Sequence, residues 1–251
     1  MSCDCGGLKP LTLAPPTSVQ EVIPAANIVA GWDAAVTTND GTSVSEMFDV
    51  SGNGFTLTQA VAGNQPLIQP AGGPNGNPSV LFDGVDDFLF NATLDFSPPG
   101  TTPAFLWVIA RQVTWDGASF DALCEAGALP DTDGGINLNQ QGVTPQVSQY
   151  MGSDANLNAA LILNTYKRLQ VFFNNDTDDY LQVGSVKVTG QNAGNLEPGP
   201  GFTVGAGFEG SYGWGNWELC EMWIFNAEPT AIQKTKLDAY AASRYGAGVL
   251  T

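Results

Sequence analysis

Apolar residues in this sequence come in short runs, each closed by glycine, proline, asparagine or aspartate, and that rhythm confines the chain to an all-β fold. Ile28-Val29-Ala30-Gly31-Trp32-Asp33 opens the series. Val50-Ser51-Gly52-Asn53-Gly54 is a turn, because glycine and asparagine tolerate the positive φ that tight reversals need. Phe55-Thr56-Leu57-Thr58 alternates with period two, and a loop rich in Pro, Gly and Asn then leads into Ser79-Val80-Leu81-Phe82-Asp83. Phe105-Leu106-Trp107-Val108-Ile109-Ala110 is apolar almost throughout, so both of its faces are expected to be covered. Residues 120–126, 161–163, 168–173, 180–188, 202–206 and 217–225 supply further strands. One helix is expected near the end, with Pro229 in its first turn, Gly246 at its C-terminus, and Leu237, Tyr240, Ala241 and Arg244 on one face.

The 251 residues suffice for one large β domain that needs neither disulfide nor metal to fold. Residues 1–25 mix proline with apolar residues without a period and read as an extended N-terminal arm; residues 26–251 read as the globular domain. Met1 to Pro10 has neither a basic n-region nor an apolar h-region, so no secretory signal is expected and synthesis in a cytoplasm is. Runs such as Ala104 to Ala110 are too short to span a bilayer.

Composition removes several function classes. Asp+Glu number 25 against Lys+Arg 8, a net charge of −17, which leaves no cationic footprint for nucleic acid and repels anionic membranes. Histidine is absent, which excludes Ser-His-Asp and Cys-His catalysis and any imidazole-dependent metal site. Cys3 and Cys5 are half of a tetrahedral thiolate set with no second pair, while Cys124 and Cys220 lie in apolar runs that favour reduced, buried thiols.

Acidic loops and exposed aromatics are the candidate sites. Asp83, Asp86 and Asp87, then Asp131 and Asp133, then Asp176 and Asp178, offer oxygen ligands for a hard cation. None has a full EF-hand pattern, and each also reads as a β-turn closed by Asp or Gly, so no cofactor is required and calcium is an optional ligand. Tyr212, Trp214 and Trp217 stand in or beside a glycine-rich stretch, and Trp115 precedes Asp116-Gly117. Such rings can stack on sugar faces or fill a sheet edge or subunit contact. For glycan cleavage, the nearest carboxylate pair is Glu218 and Glu221, which a regular strand points to opposite faces unless a bulge intervenes. No catalytic residue is therefore expected, and the chain reads as a non-enzyme.

The order Gly31-Trp32-Asp33-Ala34, Phe48-Asp49-Val50-Ser51-Gly52-Asn53-Gly54 and Val80-Leu81-Phe82-Asp83-Gly84-Val85-Asp86-Asp87-Phe88-Leu89 resembles the concanavalin A-like lectin/glucanase superfamily. The likeness is to laminin G-like jelly rolls of bacteriophage and bacterial structural proteins, and residues 217–226 with the short helix ending Arg244-Tyr245-Gly246 resemble that family's close. It implies an antiparallel two-sheet jelly-roll sandwich, one sheet concave, with rim loops that often hold calcium or sugar. Joined to the arm and the acidic surface, it implies a non-enzymatic virion structural or accessory protein of a bacteriophage, as capsid decoration or tail component. The sandwich would face outward, and residues 1–25 would anchor it to other virion proteins. Homo-oligomerisation and polysaccharide binding are compatible with that role. The alternatives are a lectin-like carbohydrate-binding module and a glycanase of the same fold.

Overall fold

The computed structural model describes residues 14–95, 104–115, 120–127, 136–140, 144–151, 157–174, 178–190 and 200–251. The first strands are β1 (Ile28–Asn39), β2 (Val44–Asp49), β3 (Leu57–Thr58), β4 (Leu67–Gln69), β5 (Ser79–Leu81) and β6 (Leu89–Asp95). The middle of the chain gives β7 (Ala104–Gln112), β8 (Asp121–Ala126), β9 (Ile136–Gln140), β10 (Gln146–Met151) and β11 (Leu157–Ala160). Then come β12 (Lys167–Phe173), β13 (Asp179–Val183), β14 (Val186–Gly190), β15 (Pro200–Val204), β16 (Trp217–Phe225) and the helix α1 (Ala231–Tyr245). No described helix is long and apolar enough to cross a membrane.

The expected two-sheet jelly-roll sandwich is corrected. Hydrogen bonds run without a break through fourteen strands, β11-β10-β9-β8-β15-β6-β3-β2-β1-β16-β7-β12-β13-β14, in one nearly closed, barrel-like antiparallel sheet, with β5 and β4 branching from β16. The physical reason lies in β1. Its first half, from Ile28 to Asp33, pairs with β16, and β2 pairs first with Trp32 and then, across an irregular register, with Thr37 to Asn39. A strand that changes partners at such an irregularity turns a corner while keeping the ladder intact. β3 carries the path onward through Thr58, which pairs with Phe90 of β6. The far ends then meet: Gly190 of β14 lies so close to Leu157 of β11 that a methyl group there would strike the leucine.

Alternation sorts side chains between two cores. Leu106, Val108, Ala110, Met222 and Ile224 point inward, where Trp32 stacks on Phe202 at 5.4 Å between ring centroids. Their neighbours Phe105, Trp107, Ile109, Trp223 and Phe225 point outward and are roofed by Leu237, Tyr240, Ala241 and Tyr245 of α1. The run from Phe105 to Ile109 is thus covered on both faces. Thr230 caps α1 in a reciprocal box with Gln233, and Gly246 ends it at φ 86°.

The outer core also takes in Val19, Val22 and Ile23. Within residues 1–25, the described part from Ala14 onward therefore includes side chains held against the domain, each buried aliphatic contributing about 1.5–3 kcal/mol. Cys3 and Cys5 lie outside the described residues. Cys124 and Cys220 are buried and unpaired.

Candidate functional site

On the wall opposite α1, the register dictates which polar groups face outward. Phe202 pairs with Ala126 and Val204 with Cys124, all four in the inner core, so Thr203 and Glu125 between them point away from it. Leu138 is likewise inward, which turns Asn139 out beside its partners Ala122 and Ser148. Ser148 Oγ donates to Asn158 Oδ1 at 2.6 Å on the next strand. Hydroxyl, amide and carboxylate groups thus surround the small side chain of Ala122.

The glycine-rich stretch lays its aromatics over this wall. Ala122 N–H donates to Gly213 O at 2.8 Å and Gly215 N–H to Gly205 O at 2.8 Å, which straps the segment across β8. Gly213, at φ 61°, sits against Phe120 where any side chain would collide. Tyr212 thereby reaches Glu125, its hydroxyl lying 2.7 and 2.8 Å from the two carboxylate oxygens, with the Phe120 ring 5.7 Å from its own. Glu125 is only 5 % exposed, so Tyr212 screens a buried carboxylate at the foot of the wall. Glu209 adds a second acid: its amide donates to Thr203 Oγ1 at 3.0 Å. Its φ of 47° is a left-handed conformation that costs a non-glycine residue about 1–2 kcal/mol.

The other predicted aromatics divide. Trp214 bridges to Ala122 and is half-buried, and Trp115 is half-buried just past β7; neither indole N–H has an acceptor among the described residues. Trp217 is corrected as a stacking candidate, because it is fully buried in the inner core with Nε1 donating to Asp121 O at 3.3 Å. Glu125 escaped the sequence reading, although a lone acid inside the apolar run Leu123-Cys124-Glu125-Ala126 is a signal for it.

Glu218 and Glu221 are not split between faces as a regular strand requires. Leu219 pairs with Ala110 and Glu221 with Ile109, which leaves Cys220 as the extra residue of a bulge and brings both acids to the α1 side. Both are consumed internally. Glu218 accepts from Arg111 Nε at 2.7 Å and from Ser79 Oγ. Glu221 accepts from Trp223 Nε1 at 2.6 Å and from the hydroxyls of Tyr240 and Tyr245.

Among the acidic loops, Asp83, Asp86 and Asp87 bring carboxylate oxygens within 4.8 Å of one another. Asp83 Oδ1 accepts from Val85 N at 2.7 Å, and Asp87 Oδ2 accepts from Asp83 N at 3.0 Å, so the group closes a turn. Asp178 is exposed before β13, while Asp131, Asp133 and Asp176 lie outside the described residues. Burial, with the charges of Asp83 and Asp86, pushes the Asp87 carboxyl up to about 7. From about pH 4 to 7 the unfolded chain releases this proton while the folded chain keeps it, so the group makes stability fall as pH rises through that window and level off above it. D87N should remove that decline. Melting profiles of the two proteins that run parallel from pH 4 to 8 would exclude it.

No protein-family model matches the chain, and no curated protein matches it in sequence. Solved structures do resemble it in fold. A GH54 α-L-arabinofuranosidase soaked with a cyclic sulfate inhibitor aligns at TM-score 0.61 and 14 % identity over 91 % of this chain and 65 % of its own. Trypanosoma rangeli sialidase in complex with sialic acid aligns at TM-score 0.62 and 12 % identity over 94 % of this chain and 36 % of its own. An arabinofuranosidase complexed with arabinofuranosyl-α-1,2-xylobiose aligns at 0.59 and 12 % identity over 91 % and 65 %. The chain thus spans less than two thirds of these proteins, and at such identities the likeness is one of fold alone. It corrects the expectations drawn from the family resemblance. The structures named above are an arabinofuranosidase and a sialidase rather than concanavalin A-like or laminin G-like lectin modules, and neither a bacteriophage virion role nor a non-enzymatic one is supported by them.

Proposed function

We propose that this chain acts on glycans, binding a sugar on the half-buried Tyr212 and Trp214 rings and the exposed Glu209, which overlie the buried groups Thr203, Glu125, Asn139 and Ser148, and cleaving a glycosidic bond there. The observation that carries the reading is the Tyr212 hydroxyl held by both oxygens of the buried Glu125 carboxylate, on a polar wall rimmed by aromatic rings. Sugars present apolar faces to such rings and hydroxyls to the polar atoms at their edges. Glycoside hydrolysis commonly uses two carboxylates, or a tyrosine nucleophile in some enzymes. Glu125 and Tyr212 provide a phenol with an adjacent base, and Glu209 provides a second acid beside Thr203. The fold shared with an arabinofuranosidase and a sialidase supports the same reading.

Turnover of a panel of 4-nitrophenyl glycosides tests it. E125Q should lower kcat/KM about 10²–10⁴-fold, the usual contribution of a positioned acid or base. E221Q, whose site faces α1, should leave the activity per folded molecule unchanged. Absence of turnover across the panel by the native chain, with no saturable sugar binding, would refute the proposal.

A further inference from the structure

Asparagine is followed by glycine twice in this chain, at Asn53-Gly54 and at Asn75-Gly76. Such a pair rearranges without an enzyme once its backbone is free to turn, because glycine has no side chain to keep its amide from the preceding carboxamide. The glycine nitrogen attacks the asparagine Cγ and gives up its proton to solvent. The new N–C bond closes a succinimide ring, and the carboxamide nitrogen leaves as ammonia. Water then opens the ring to aspartate or isoaspartate. Both asparagines are exposed, so access to water does not distinguish them. Their hydrogen bonds do.

Asn53 is locked in its turn. Its Nδ2 donates to Ile28 O at 2.9 Å and Val29 O at 3.0 Å, and its backbone N–H donates to Ser51 Oγ at 3.2 Å. The Asp49 carboxylate holds the turn on either side of it, accepting from Ser51 N at 2.8 Å and Phe55 N at 3.0 Å. Asn75 is held by one side-chain bond, from Nδ2 to Arg244 O at 3.1 Å. That carbonyl also accepts from Asn77 Nδ2 at 2.8 Å, so release of Asn75 leaves no acceptor unpaired. The backbone of Asn75 stands at φ 56°, a left-handed conformation whose loss relieves strain. Gly76 N–H, the attacking group, is held by Gly73 O at 3.2 Å, the long end of the hydrogen-bond range.

We infer that Asn75 is a site of spontaneous deamidation in this protein, while Asn53 is protected by its turn. The consequence falls on α1. Arg244 O belongs to the last turn of that helix, and a Cβ added at Gly246 would lie 3.5 Å from Asn75 Oδ1. Deamidation therefore replaces a donor to the helix's last carbonyls by a negative charge beside its negative end.

Peptide mapping by mass spectrometry tests the site. The whole chain is held in mildly alkaline buffer, with and without urea, and the amide-to-acid mass gain is followed at each asparagine. In the folded protein Asn75 should convert at least about tenfold faster than Asn53, which must first break two further hydrogen bonds. In urea the two rates should become similar. Conversion of Asn53 as fast as Asn75 in the folded chain overturns the inference, and so does an Asn75 that changes in urea but not in the folded chain. N75D should lower the Tm by about 1–4 °C at low salt. N53D should lower it further, because it turns a carboxylate toward two carbonyl oxygens. An N75D variant that melts at or above the parent would break the proposed link to α1.

Discussion

Replacing Glu221 by alanine lowers the stability of the fold by about 3–5 kcal/mol, the usual cost of removing one member of a buried charge pair. Glu221 is 1 % exposed, and its carboxylate is where helix and sheet are joined. Trp223 Nε1, Tyr240 OH and Tyr245 OH donate to it at 2.6, 2.9 and 2.7 Å, and Arg244 reaches it at 3.5 Å while pairing with Asp33 of β1 at 2.7 Å. Burial pushes the Glu221 carboxyl above its ordinary range, against the pull of Arg244. Truncation strands three donors under α1, each worth about 1–3 kcal/mol when left unpaired. E221Q keeps the volume but places an amide donor among donors, so its loss should be smaller, about 1–3 kcal/mol. Urea unfolding followed by tryptophan fluorescence measures both, and an alanine variant within about 1 kcal/mol of the parent would show that α1 is held by its apolar face alone.

Trp32→Ala should cost about as much, 3–5 kcal/mol being roughly the range for deleting a buried tryptophan. The ring is fully buried, stacks on Phe202 with planes 8° apart, and donates from Nε1 to Phe55 O at 2.8 Å. It also stands at the residue where β1 pairs with both β16 and β2, so the cavity opens beside the corner that keeps the sheet continuous. Trp32→Phe should restore most of the packing and lose the hydrogen bond, about 0.5–1.5 kcal/mol. Hydrogen exchange separates the effects: in Trp32→Ala the amides of β1 and β2 should exchange first. Uniform loss of protection across the sheet would instead mean that the corner has no local weakness.

These two residues also mark what could be read from the sequence. The strands around Trp32 and Glu221 are legible, because short apolar runs bounded by Gly, Asn and Pro have few other ways to fold. So is α1, whose Pro229 and Gly246 punctuate a helix with Leu237, Tyr240 and Ala241 on its buried face. The joining of strands into one sheet is not legible, since a strand that pairs with β16 and then with β2 has the same alternation as one that pairs with a single partner. The bulge at Cys220 is equally silent, and it alone decides that Glu218 and Glu221 share a face. At the wall, Tyr212 and Trp214 stand out as aromatics among glycines, but the partner of Tyr212 lies 87 residues away in an apolar strand. Spacing carries no information over that distance; the pairing of β15 with β8 brings the two together.

The meeting of β11 and β14 has a consequence beyond the core it encloses. A sheet of fourteen strands must end somewhere, and each terminal strand has a row of amide and carbonyl groups able to recruit another polypeptide. Here the two termini are set against each other, Leu157 filling the space that a side chain at position 190 would need. Each edge thereby shields the other sterically, and an incoming strand would have to pry them apart before it could pair. Closure of this kind should oppose strand-by-strand aggregation, and a bulky residue at Gly190 is expected to be felt first as a loss of solubility rather than of fold.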